Sequence, residues 1–258
     1  DEVIVPDPMW TEVVENIRMA GGVPVGVELS AADDFEYRTD RIEAAITPRT
    51  RAIFINTPHN PTGAVLSVER LKEIVDLARA NDLWIVSDEA YEDVLYDPWT
   101  HVSIGSLAGD YADRVISIFS FSKSHAPALR VGYITAGWPV LSQLLSLKGD
   151  AGTGAVDQMV VAEYFSKNFD AHLARLNKVL AGKLAAMQEA VAAEFGSAAE
   201  TWTPAGGIFL WFRLPDSVDV RTLTKPAAAA GIAFNAGPEW AVDGEAAKSH
   251  LRLCFAQP

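Results

Sequence analysis

Apolar positions along the chain fall into two alternating patterns. Unbroken apolar runs at "RAIFIN" (51–56), "LWIVSD" (83–88), "RVISIFS" (114–120) and "RVGYITAG" (130–137) predict buried strands. Between the first two, "SVERLKEIVDLARAND" (67–82) puts Leu71, Ile74, Val75 and Ala78 on one helical face, with Ser67 as a plausible N-cap. Strand, helix and strand at this spacing predict an α/β unit with a mostly parallel sheet flanked by helices.

From about residue 157 the pattern changes. A nearly continuous helical periodicity runs to Phe195, with Gly182 as its weakest point. The short runs "GGIFLWFRL", "GIAFNAG" and "SHLRLCF" follow and read as strands between turns, while "PAAAAGIAF" reads as an alanine-rich helix end. This α+β texture predicts a smaller C-terminal domain, 166–258, after a larger one, 1–165. The chain opens at "DEVIV" inside regular structure and closes just after a strand, so a piece of a longer protein is expected.

Composition narrows the partners. The 258 residues carry a net charge of −13, which disfavours nucleic acid and anionic membrane surfaces, since both ask for a basic face. One cysteine, Cys254, permits no internal disulfide and fits a cytoplasmic location. No apolar stretch is long and charge-free enough to span a bilayer.

The chemistry gathers where strands end. In open α/β sheets, ligands bind beyond the carboxyl ends of the strands. Asn60 lies in "NTPHNPTG" after the first run, Asp88 and Tyr91 in "DEAY" after the second, and Ser120 and Lys123 in "SFSK" after the third. If these strands are parallel neighbours, the residues converge. A lysine amine forms a Schiff base with an aldehyde. A carboxylate keeps a pyridine nitrogen protonated. An amide and a phenol hydrogen-bond a phenolate oxygen, and hydroxyls with an arginine hold a phosphate. The ligand that asks for all of these is pyridoxal 5'-phosphate.

"NTPHNPTG", "SDEAYEDVLY", "SFSKSHAPALRVGYI", "PAGGIFLWF" and "LRLCFA", in this order, resemble successive signatures of the class I/II, fold-type I pyridoxal-phosphate aminotransferases. The resemblance implies that Lys123 forms the internal aldimine and shuttles the substrate proton, with ping-pong transfer between an amino acid and a 2-oxo acid. It implies that Asp88 pairs with the pyridinium, that Asn60 and Tyr91 contact the phenolic oxygen, and that Ala90 packs on a ring face. Ser120, Ser122 and Arg130 would hold the phosphate. Arg252, with Asn60, would take the substrate carboxylate. A homodimer is implied, as is a cis Asn60–Pro61 bond. The family's N-terminal arm, phosphate-capping glycine turn and stacking aromatic, and its C-terminal helix, are expected to lie outside this sequence, which predicts weak cofactor binding by this chain alone.

Other readings share these residues. A different pyridoxal-phosphate reaction, such as C–S β-elimination, would use the same cofactor set. So would a ligand-sensing domain of a transcriptional regulator, which a DNA-binding segment upstream would reveal. His59, His125 and Cys254 are expected to serve packing or turns, and no metal is expected because the histidines lack ligand spacing. "DDFE" (33–36) is expected as a solvated loop, and the tryptophans and methionines as core residues.

Overall fold

A computed structural model describes residues 1–256. The strands are β1 (Glu2–Asp7), β2 (Val23–Glu28), β3 (Thr50–Asn56), β4 (Trp84–Asp88), β5 (Val115–Ser120), β6 (Gly132–Thr135), β7 (Glu200–Thr201), β8 (Phe209–Arg213), β9 (Asn235–Ala236) and β10 (His250–Cys254). The helices are α1 (Glu12–Met19), α2 (Thr39–Ala44), α3 (Val68–Ala80), α4 (Ile104–Leu107), α5 (Phe121–Ser124), α6 (Trp138–Leu147), α7 (Ala155–Phe195) and α8 (Thr224–Ala229). All four strands expected from the first apolar runs form.

The larger sheet has the order β2-β1-β3-β4-β5-β6. Its pairings are parallel except the last, β5 with β6, which is antiparallel. That reversal follows from the short link between β5 and β6, too short for a crossover helix. The smaller sheet, β7-β8-β10-β9, is antiparallel throughout. The fold is therefore the α/β arrangement the sequence predicts, with a mixed, mostly parallel sheet and a smaller antiparallel one.

Helix α3 shows how the pattern becomes packing. Leu71, Ile74, Val75 and Ala78 are buried, and they join Ile53, Ile55 and Ile85 in the main core. The Ser67 hydroxyl accepts from the Arg70 N–H at 3.1 Å and closes the first turn. A second core packs α7 residues Leu180, Leu184 and Val191 against Leu210, Phe212 and Leu251 of the small sheet.

Helix α7 forms the long continuous helix the periodicity predicts and runs through Gly182, because the packed side chains Leu180 and Leu184 on either side hold the turn that glycine would loosen. Two expectations change. The segment 33–36 is not simply a solvated loop: Phe35 is buried and sits edge-on to Trp202 at 5.0 Å, while Asp33 pairs with Arg38 and Arg41. Tryptophans and methionines divide. Met9, Trp211 and Trp240 are buried, but Trp138 is 69% exposed and Met159 70% exposed. These two lie on α6 and the first half of α7, helices with apolar side chains that no described element covers.

Candidate active site

Strands β3, β4 and β5 are parallel neighbours, so their carboxyl ends form one rim. Each end is pinned before it presents its side chains. At the end of β3, the Asn56 N–H donates to the Tyr37 hydroxyl at 3.0 Å, and that hydroxyl donates back to the Asn56 carbonyl at 3.2 Å. The Asn56 amide reaches both ways: its Nδ2 donates to the Asp88 carbonyl at 2.9 Å, and its Oδ1 accepts from the Asn60 N–H at 2.7 Å. One side chain thus ties two strand ends together. The "NPTG" turn contains a cis Asn60–Pro61 bond. Its Gly63 has φ +76°, and a Cβ there would come within 2.4 Å of Pro204 Cβ, so only glycine lets the turn dock. The Gly63 carbonyl accepts from the Ala205 and Gly206 N–H groups, which joins this turn to the loop before β8.

Asp88 ends β4. Its Oδ1 accepts from the Ala90 N–H at 3.0 Å. Burial pushes its carboxyl up and the Glu89 charge adds to this, while the Ala90 N–H and the Lys123 ammonium pull it down. No ion pair involves it among the described residues. Ala90 offers the crevice only a methyl group. Between these two, Glu89 is fully buried and anchors the turn, accepting at 3.0 Å from Ser103 and lying 2.7 Å from His101 Nε2. Glu89, Glu92 and His101 bring ligand-type atoms within 4.8 Å of one another, but Glu89 is already committed to its two partners.

Strand β5 ends in Ser120, whose hydroxyl caps the single turn α5 by accepting from the Ser122 N–H at 3.2 Å. Lys123 projects from this turn, and its Nζ stands 5.4 Å from the centre of the buried Tyr91 ring. Burial lowers its ammonium first, and Arg252 and Arg130 lower it further. Arg130, with φ 53°, stands beside the same turn: its guanidinium lies 3.4 Å from the Ser122 hydroxyl and donates to the Pro127 carbonyl at 3.0 Å.

Arg252 enters from the other sheet. It lies on β10 between Trp211 of β8 and Asn235 of β9. Its guanidinium is sandwiched, 3.7 Å from the Phe209 ring centre and 3.5 Å from that of Trp240. It donates to Asn60 Oδ1 at 3.0 Å and to Asn235 Oδ1 at 2.6 Å, and its Nε is buried without a partner among the described residues. Burial pulls it down to about 10, so it stays a cation at neutral pH.

The structure thus brings Asn60 to Arg252, Lys123 to Tyr91 and Asp88, and Ser122 to Arg130. Among the described residues no hydrogen bond joins Ser120 to Arg130; Ser120 caps Ser122 and Arg130 reaches Ser122 and Pro127. Several supporting residues went unremarked in the sequence. Tyr37 and Asn56 carry no local motif, and Asn235, Phe209 and Trp240 reach Arg252 only through the pairing of the small sheet. Trp10, 40% exposed, lies in the loop after the carboxyl end of β1, a strand that pairs parallel with β3. Its neighbours bind that loop to Glu239 and Trp240: the Met9 N–H donates to the Trp240 carbonyl at 2.7 Å, and the Thr11 hydroxyl to the Glu239 carbonyl at 2.7 Å. A lone exposed Trp after "PDP" gave no signal of this.

His59 is a buried turn residue, with Nδ1 2.7 Å from the Thr62 hydroxyl. His125 packs against Tyr164 and Phe165. Cys254 is free and exposed. No helix among the described residues is long and apolar enough to cross a membrane.

Known proteins of similar sequence and shape agree on one class. The aspartate aminotransferase of Bacillus sp. (strain YM-2) is 37% identical over 148 residues, 57% of this chain and 38% of that protein. Aromatic-amino-acid aminotransferase 2 of Thermococcus litoralis is 43% identical over 137 residues, 53% of this chain and 35% of that one. The aligned part of the chain therefore spans little more than a third of these relatives' length. In shape, the aromatic aminotransferase from Pyrococcus horikoshii OT3 matches with a TM-score of 0.92 at 27% identity, over 100% of this chain and 69% of that one. The alpha-aminoadipate aminotransferase from Thermus thermophilus, complexed with N-(5'-phosphopyridoxyl)-L-leucine, matches with a TM-score of 0.91 at 26% identity, over 99% and 66%. These neighbours share the fold-type I architecture of enzymes that depend on pyridoxal phosphate. The family model for aminotransferase class I and II matches residues 1–258, and the chain belongs to that family.

Proposed function

We propose that this chain carries pyridoxal 5'-phosphate on Lys123 and serves amino-group transfer between an amino acid and a 2-oxo acid. One observation carries the reading. A half-buried carboxylate without a bonded cation, Asp88, and a buried guanidinium without a bonded carboxylate, Arg252, flank a half-buried lysine in one crevice. Each lacks the kind of charge that this cofactor and its substrate would bring.

The donor set fits the group. Asp88 would face the ring nitrogen, Asn60 and Tyr91 the phenolic oxygen, Ala90 a ring face, and Ser120, Ser122 and Arg130 the phosphate. The exposed indole of Trp10 is available to the ring from the β1 side. When bound, the cofactor supplies an electron sink for negative charge left on the substrate α-carbon. Arg252 clamps the substrate carboxylate, and Asn60 and Asn235 keep its fork oriented. Once its amine is free, Lys123 Nζ would take the α-proton and return it, a task helped by the burial and nearby arginines that lower its ammonium. Because one Arg252 serves both substrates, donor and acceptor occupy the crevice in turn, which gives ping-pong kinetics.

The proposal extends to a cytoplasmic homodimer built of a larger unit, 1–165, and a smaller one, 166–258. Exposed Tyr133, Ile134, Trp138, Leu145 and Val156 along β6, α6 and α7 support pairing, because an apolar surface of this extent is rarely left bare. The test is to add pyridoxal phosphate, reduce with borohydride and map the labelled peptide. Saturable label on Lys123 alone is expected, and in a separate, unreduced sample 2-oxo acid release beyond one equivalent should require a second 2-oxo acid. Label scattered over many lysines overturns the reading.

A further inference from the structure

The helix that carries Lys123 is a single turn, Phe121–Ser124. A turn of this length does not hold itself in water, and its terminal carbonyls need partners from outside. One comes from α7. His172 Nε2 lies 2.8 Å from the Ser124 carbonyl, and His172 Nδ1 lies 2.9 Å from the Tyr164 hydroxyl. A carbonyl only accepts, so Nε2 carries the hydrogen. In the neutral ring Nδ1 is then bare, and Tyr164 donates to it. Tyr164 lies about two helical turns before His172. Both pack around His125, the residue that ends the lysine turn: His125 stacks on Tyr164 at 4.9 Å and meets His172 edge-on at 5.9 Å. Phe165 closes the cluster at 4.8 Å from His125.

We infer that His172, oriented by Tyr164, is a positioning residue for Lys123, and that it fixes the one-turn helix from which the lysine projects by way of the Ser124 carbonyl. The inference rests on the reading of Lys123 as the reactive amine. His172 and Tyr164 act through the main chain of α5. The groups that face Lys123 are Tyr91, Asp88, Arg130, Arg252 and Cys254. The lysine keeps its place among them only while α5 keeps its orientation. Release of the Ser124 carbonyl lets the turn fray, exposes the amine to water and moves it away from Arg252 and Arg130.

The test uses three variants and a readout that needs no cofactor. Competitive labelling with acetic anhydride across pH reports the titration midpoint of the Lys123 amine. His172→Phe keeps a ring in the aromatic cluster and removes both hydrogen bonds. Exposure of the amine to water and its retreat from Arg252 and Arg130 are expected to raise the midpoint towards that of a free lysine. Pyridoxal phosphate, read by quenching of tryptophan fluorescence, is expected to bind about five-fold more weakly. His172→Gln, whose amide can donate to the same carbonyl, is expected to restore the midpoint. Tyr164→Phe is expected to shift it in the same direction by less, and it carries the test if His172→Phe does not fold. Wild-type midpoints in both His172→Phe and Tyr164→Phe would overturn the inference. Scattered pyridoxal-phosphate label in the wild type would overturn the proposed function instead, and the acetic anhydride result would still decide the role of His172.

Discussion

The crevice makes its sharpest demand at Arg252, and Arg252→Lys separates the geometry of the guanidinium from its charge. The arginine holds two ring faces and two amide oxygens at once. Lysine keeps the charge but has no plane to lie between Phe209 and Trp240, and no fork to reach Asn60 and Asn235 together. Loss of the ring contacts removes about 1–2 kcal/mol of orientation. Loss of one hydrogen bond to the charged group removes about 1.5–3 kcal/mol. Allowing for overlap between the two, carboxylate binding should weaken by about 2–4 kcal/mol, or roughly 30- to 1,000-fold. The assay is single-turnover kinetics of the cofactor-loaded enzyme against an amino acid and against its amide. The substitution should raise the half-saturating concentration of the acid and leave the limiting rate within a few-fold, because the clamp acts on ground and transition states alike. The amide, which has no carboxylate to lose, should be nearly indifferent. An equal loss for acid and amide, or a fall in limiting rate with unchanged half-saturation, would refute the clamp.

Other sites give simpler expectations. Asp88→Asn removes the charge that would meet the ring nitrogen and should weaken pyridoxal phosphate binding by about 1.5–3 kcal/mol, roughly 10- to 150-fold by fluorescence titration. Tyr37→Phe leaves the buried Asn56 N–H and carbonyl without their hydroxyl partner and should cost about 2–4 kcal/mol in urea denaturation. His59 is held neutral by burial, its imidazolium pushed down to about 3. The unfolded chain therefore takes a proton near pH 6.5 that the folded chain refuses, and stability falls as pH drops through this window. Between about pH 7 and pH 5 this group should account for about 2 kcal/mol, a slope that His59→Gln should remove from paired urea curves.

The strands that build the rim were legible because each reads as a solid apolar run, bounded by polar residues, and is packed into the sheet interior. The amphipathic spacing of α3 was legible for the same reason: the period of the pattern is the period of the burial. Asn60, Asp88 and Lys123 stood out because they follow those runs directly. What escaped was every relation set by strand pairing. The cage around Arg252 comes from β8, β9, the loop at Trp240 and the turn at Asn60, far apart in sequence, and no spacing in the chain announces it. Tyr37 meets Asn56 across nineteen positions through one hydroxyl, as unmarked as any buried tyrosine. Helix α7 was legible through Gly182 as well: a glycine's local cost in a helix is about 1 kcal/mol, less than the packing of Leu180 and Leu184 supplies.

The two uncompensated charges give the crevice its character. A buried carboxylate or guanidinium is normally paired, because desolvation of the lone ion costs several kcal/mol. Here the half-buried Asp88 bonds only a main-chain N–H, with the Lys123 ammonium acting on it through space, and the buried Arg252 meets only neutral amides and aromatic faces. The fold devotes rigid architecture to keeping them so. Asn56 and Tyr37 fix the β3 end, Glu89 anchors the turn after Asp88, and the small sheet holds the arginine still. Had packing alone shaped these positions, Arg252 and Asp88 would be the first candidates for apolar replacement. An acid and a base kept apart in one crevice make sense when an incoming ligand carries the opposite charges at matching places. On the proposed reading, a protonated pyridine at one end and a carboxylate at the other would satisfy both.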